Sequence, residues 1–136
     1  MKPTAALILA IGLGMTGLFE SALADQPTFS EAQICKAGIS LAMGKDPSII
    51  KAKVVGGTVK VSYIRSDDGS VWNYKCKVEG TRVLWGADPG RWRNHPADEP
   101  IFYSVSGEGE SARLTVAEKY QDGSSNKKTF AAADLK

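Results

Sequence analysis

Two cysteines, Cys35 and Cys76, constrain this chain more than any other pair of residues. Each falls at a defined point of a periodic pattern. Cys35 sits on the apolar face of a helical segment, and Cys76 on the inward side of an alternating one. In an exported chain an even pair of cysteines forms a disulfide. The alternative is two free buried thiols. A bridge here closes a loop of about 42 residues and constrains the unfolded chain by roughly 4 kcal/mol. It also ties one helix to the middle of one sheet.

Export is read from the N-terminus. Lys2 precedes an apolar run from Ala5 to Phe19, and Ala22-Leu23-Ala24 then offers a small-residue cleavage site before Asp25-Gln26-Pro27. This is the layout of a secretory signal peptide spanning 1–24. A membrane anchor is the competing reading, but the run is shorter than the roughly 20 residues a spanning helix needs. No cysteine follows the cleavage site to carry a lipid. The expected mature chain, 25–136, is one globular domain in the periplasm or outside the cell. The net charge of +2 is too balanced to argue for nucleic acid or a membrane surface.

The mature part divides by period. Thr28 to Met43 reads as a helix with two candidate capping boxes, Thr28 with Glu31 and Ser30 with Gln33. Gln33, Lys36, Ser40 and Gly44 form a narrow polar stripe, and the remainder is apolar or small, which calls for packing against a sheet. Gly44 and Pro47 end the helix. From Ile49 the period becomes two. Val59, Val61 and Tyr63 alternate with Lys60 and Ser62. Trp72, Tyr74, Cys76 and Val78, expected to face inward, alternate with Asn73, Lys75 and Lys77. Asp67-Asp68-Gly69-Ser70 and Asp122-Gly123-Ser124 read as hairpin tips with the same turn chemistry. The expected fold is α+β: one N-terminal helix on a curved antiparallel meander of about seven strands, with a partly closed barrel as one form of it.

One stretch breaks the pattern. Residues 86–100, GADPGRWRNHPADEP, hold three of the six prolines and the single histidine, His95. Prolines stiffen the segment, which suits recognition better than a moving lid. Arg91 and Arg93 would point to one side of an extended backbone and Trp92 to the other. The arginines can grip carboxylate or phosphate, and Trp92 can anchor a partner. Equally, Trp92 can tuck into the core while the arginines pair with Asp88, Asp98 or Glu99.

Other chemistries are weakly supported. One histidine and two bridged cysteines do not make a zinc site, and Asp88, Asp98 and Glu99 lack the spacing of a calcium loop. His95 as a general base has Ser104 and Ser106 nearby but no G-x-S-x-G elbow. A glycosidase pair would need Asp98 or Glu99 to meet Glu79 or Glu118. The sequence therefore points to a small exported binding or inhibitor-like module without a cofactor or metal. Its 86–99 loop would offer Arg91, Trp92, Arg93 and His95 to an envelope protein or an anionic glycan. A hydrolase with His95 as base, and a structural envelope protein with no ligand, are the alternatives.

Overall fold

The computed structural model describes residues 28–136; the stretch 1–24, expected to be a signal peptide, lies outside the described residues. Helix α1 spans Glu31–Met43. Seven strands follow: β1 Lys51–Val55, β2 Thr58–Ile64, β3 Val71–Glu79, β4 Arg82–Ala87, β5 Ile101–Ser106, β6 Arg113–Lys119 and β7 Ser125–Ala131. They lie side by side in chain order, each antiparallel to the last. The α+β meander expected from the alternation is present. The barrel is not: β1 and β7 are the two ends of an open sheet. One helix laid on one face gives the core its second layer, so closure is not needed to bury that face.

Of the two candidate capping boxes, Ser30 with Gln33 forms. The Ser30 hydroxyl accepts the Gln33 N–H at 3.1 Å, and the Gln33 side chain accepts the Ser30 N–H at 2.9 Å. Glu31 is used differently. Its carboxylate accepts the Val78 N–H on β3 at 3.1 Å, so the first turn of the helix is tied to the sheet. Gly44 closes the helix in the left-handed region, with φ 64°.

The middle of the polar stripe along α1, Lys36 and Ser40, does not face water. Ser40 is fully buried and Lys36 is 8% exposed. The C-terminal turn Ala132–Leu135 packs on this side of the helix. Lys36 donates to the Lys136 carbonyl at 2.9 Å, and Ser40 accepts from Lys128 of β7 at 3.3 Å. A narrow polar stripe usually marks a solvent face. Here its polar groups find partners in the chain's own last segment, which lets them be buried.

Cys35 and Cys76 are bridged, with Cα atoms 5.9 Å apart. Around them Ile34, Ile39, Val59, Val61, Val83, Leu114 and Val116 form the core. Gly38 lets the helix approach β4 closely, because a Cβ there would lie 2.8 Å from a Val83 methyl. The inward expectation for β3 holds for Tyr74 and Cys76, which are buried, but not for Trp72, which is 41% exposed. Trp72 has the right parity. However, the last helical residue, Met43, already stands over Tyr74, whose hydroxyl donates to its sulfur at 3.1 Å. Trp72 lies one step beyond the end of the cover.

Replacing both Cys35 and Cys76 with alanine should lower stability by roughly 2–5 kcal/mol, read from urea unfolding at neutral pH. The Gly38→Ala variant should lose about 1–3 kcal/mol by crowding Val83.

Candidate functional site

β4 and β5 pair only at Arg82–Phe102 and Val83–Ile101. The rest of β4 would be left with a bare edge, and the irregular segment supplies the missing partner. The Arg93 N–H donates to the Trp85 carbonyl at 2.8 Å, and the Arg93 carbonyl accepts from the Arg82 guanidinium at 3.2 Å. The stretch 91–93 therefore runs extended beside β4. The Arg91–Trp92 backbone comes closest to β4 at Gly86, where a Cβ would lie 2.2 Å from the Arg91 carbonyl oxygen. The excursion begins at Asp88 rather than Gly86, because Gly86 and Ala87 belong to β4.

Extended geometry sends alternate side chains to opposite faces. Arg91 and Arg93 turn to the helix side, where they line a cleft with Met43, Trp72, Tyr74, Trp85 and Ala87, of about 340 Å³. Trp92 turns to the open face. Its ring lies under two ammonium groups, Lys75 at 4.8 Å and Lys77 at 4.7 Å from the centroid. So Trp92 neither enters the core nor stands free; it clamps the loop onto the open face of the sheet.

Asp98 organises the arginines. Its carboxylate receives both terminal nitrogens of Arg91, at 2.8 and 2.9 Å, and lies 3.6 Å from Arg93. It also accepts the His95 N–H at 3.0 Å. Asp98 is only 8% exposed, while the Arg91 side chain is 62% exposed. The pair thus holds a guanidinium in a fixed direction with its outer surface toward solvent. The hydrogen bonds from Arg91, with help from the His95 N–H and the charge of Arg93, hold the Asp98 carboxyl well below the usual carboxylate range. Of the other two acids, Asp88 pairs with Lys60 at 2.8 Å, and Glu99 makes no ion pair among the described residues.

The cleft's aromatic wall is built in the same economical way. Tyr74 lies edge-on to Trp85 with centroids 5.8 Å apart, and stacks on Tyr63 at 5.9 Å. Burial and the neighbouring Tyr63 hydroxyl push the Tyr74 phenol upward, so it stays a neutral donor. Arg93 lies over Trp85 at 5.0 Å, and Arg65 over Trp72 at 5.4 Å. Each indole of the cleft is thus paired with a guanidinium.

Of the four residues singled out from the sequence, only Arg91 and Arg93 line this cleft. Trp92 is on the opposite face. His95 is exposed, and its Nδ1 accepts the Ala97 N–H at 3.0 Å inside the turn. Its ring makes no hydrogen bond to Ser104 or Ser106 among the described residues. Trp72, Tyr74, Trp85 and Met43 are not legible as site residues from the sequence, where Trp72 and Tyr74 read simply as inward positions of an alternating strand. The signal available was position: Trp72 is the second residue of β3, two residues after a hairpin tip, where a helix ending at Gly44 no longer covers it. A larger hollow of about 470 Å³ lies by Asp46, Lys128 and Asp134. Those polar groups are already engaged, with the Ser48 N–H, the Ser40 hydroxyl and the Ala131 N–H.

The Asp98 shift fixes a pH dependence. The folded carboxyl titrates below its unfolded value of about 3.9. The unfolded state therefore binds more protons in that window, and stability falls as pH falls. The Asp98 contribution should be complete above about pH 5, be lost progressively below about pH 4, and be absent at all pH values in Asp98→Asn. Near-ultraviolet circular dichroism of the tryptophans against pH reads it. Gly86→Ala should displace the 91–93 backbone and shift the same spectrum at neutral pH.

Compared with known proteins, the chain matches no family model, no curated protein and no solved structure.

Proposed function

We propose that this chain is a small exported binding module whose 86–99 loop serves ligand capture through Arg91 and Arg93. The observation that carries the reading is the union of two fixed guanidinium groups with an aromatic wall in one cleft. Arg91 is oriented by Asp98, and Arg93 is stacked on Trp85, before any ligand arrives. Preorganised groups lose little freedom on binding. Trp and Arg are the side chains that most often carry binding energy at interfaces.

The chemistry selects the ligand class. An acid bearing a flat or apolar body fits best, with its carboxylate at the arginines and its body on Trp72 and Trp85. A side chain or terminus of an envelope protein has this character, and so does an acidic sugar of an envelope glycan. The apolar leader at the N-terminus and the Cys35–Cys76 bridge support placing the chain in the periplasm or outside the cell. Among the described residues no group of three or more His, Cys, Asp or Glu side chains gathers as a metal site, and no helix is long and apolar enough to cross a membrane.

Titration with N-acetyl-phenylalanine, acidic peptides and monomeric uronic acids, followed by the indole N–H signals in NMR, tests this reading. Signals of Trp72 and Trp85 should move first. Arg91→Ala with Arg93→Ala should weaken binding about 10- to 100-fold, the value of charge-assisted contacts. His95→Ala should leave affinity unchanged. Equal affinity in the double arginine variant would remove the loop's role.

A further inference from the structure

The overall charge of +2 conceals a strong segregation. The strand registers place Lys51 and Lys53 of β1, Lys60 of β2, and Lys75 and Lys77 of β3 on the same face of the sheet, the one opposite α1. Glu79 is the one acid at a strand position of β1–β3 on that face. On the far strands the same face continues with Arg113, Lys119 and Lys127.

Lys53 lies directly opposite Lys60, and Lys60 directly opposite Lys75. Three lysines therefore stand in a row across three adjacent strands. Like charges placed directly opposite each other destabilise a sheet. The fold relieves part of this through the Lys60–Asp88 pair at 2.8 Å, the Lys77–Glu79 pair at 3.4 Å and the Lys75 bond to the Gly90 carbonyl. Lys51 and Lys53 have no ion-pair partner among the described residues. Lys60, Lys75 and Lys77 lie on interior strands, and their local partners do not offset the whole row, since Lys53 and Lys51 beside them are unpaired among the described residues.

We infer that this open face binds a linear acidic polysaccharide, independently of the cleft on the helix side. Adjacent strands are roughly 5 Å apart and alternate residues along a strand roughly 7 Å apart. The ammonium groups thus form a short lattice that meets successive charges of one polymer, which a single small anion cannot do. Trp92 sits between Lys75 and Lys77 and holds both at one place. An anionic bilayer fits less well. The exposed apolar pair that would enter it, Ile64 and Val71, each 58% exposed, borders the hairpin tip carrying Asp67 and Asp68. Anionic headgroups repel those carboxylates.

Binding of the intact chain to immobilised polygalacturonate, across a salt series, tests the inference, with phosphatidylglycerol vesicles run in parallel. Lys53→Gln with Lys60→Gln should weaken polymer binding at least tenfold at low salt, with the circular dichroism spectrum unchanged. Lys45→Gln with Lys128→Gln removes the same charge away from this face and should change affinity less than threefold. Arg91→Ala with Arg93→Ala should leave polymer binding intact, which separates this surface from the cleft. Equal weakening by the two lysine pairs would reduce the effect to net charge and overturn the proposal. Binding to vesicles with none to the polymer would overturn it in favour of a membrane, and binding to neither would overturn it outright.

Discussion

A seven-stranded sheet has two faces, and the described residues supply one α-helix with which to cover them. Everything distinctive follows from that shortage. The helix is fixed to the middle of the sheet by Cys35–Cys76 and to β3 by Glu31, so its position cannot drift. A helix of 13 residues is about 20 Å long, whereas β3 with nine residues runs about 30 Å. The sheet therefore outruns its cover. The aromatic cleft is the place where the helix stops, and the lysine face is the side it never reaches.

The loop between β4 and β5 works at the same boundary. By running beside β4 it satisfies backbone groups that the short β4–β5 pairing leaves open, which is an obligation before it is a function. The alternation of an extended backbone then distributes its side chains to both faces. One segment thus contributes guanidinium groups to the cleft and an indole to the lysine side. Asp98 holds the arrangement together with four hydrogen-bonding or ionic contacts from within the loop itself.

The sequence carried much of this in its periods. The helix, the meander and the matching hairpin tips were legible because each rests on local rules, and the bridge because the chain has just two cysteines to pair. Ser70 and Ser124 make the same pair of bonds to Asp68 and Asp122, as the repeated turn residues suggested. The opposite orientation of Trp92 and its flanking arginines was legible for the same reason. What depended on distant partners was not. Nothing local says that Lys136 will take Lys36 and Lys128 will take Ser40, that α1 will stop short of Trp72, or that Asp98 rather than Asp88 will take Arg91. The lysine row was half legible: alternation put Lys60, Lys75 and Lys77 outward, but only the registers bring them opposite one another.

An open meander leaves two rows of unpaired backbone groups, on β1 and on β7, and each is a template on which a further strand could grow. Both edges carry neighbouring lysines, Lys51 with Lys53 and Lys127 with Lys128. A second copy that offered either of its own edges would bring cation against cation before any ladder could form. The same kind of side chain that makes one face receptive to acids therefore keeps the sheet finite. Among the described residues, it works against edge-to-edge growth of the unclosed sheet.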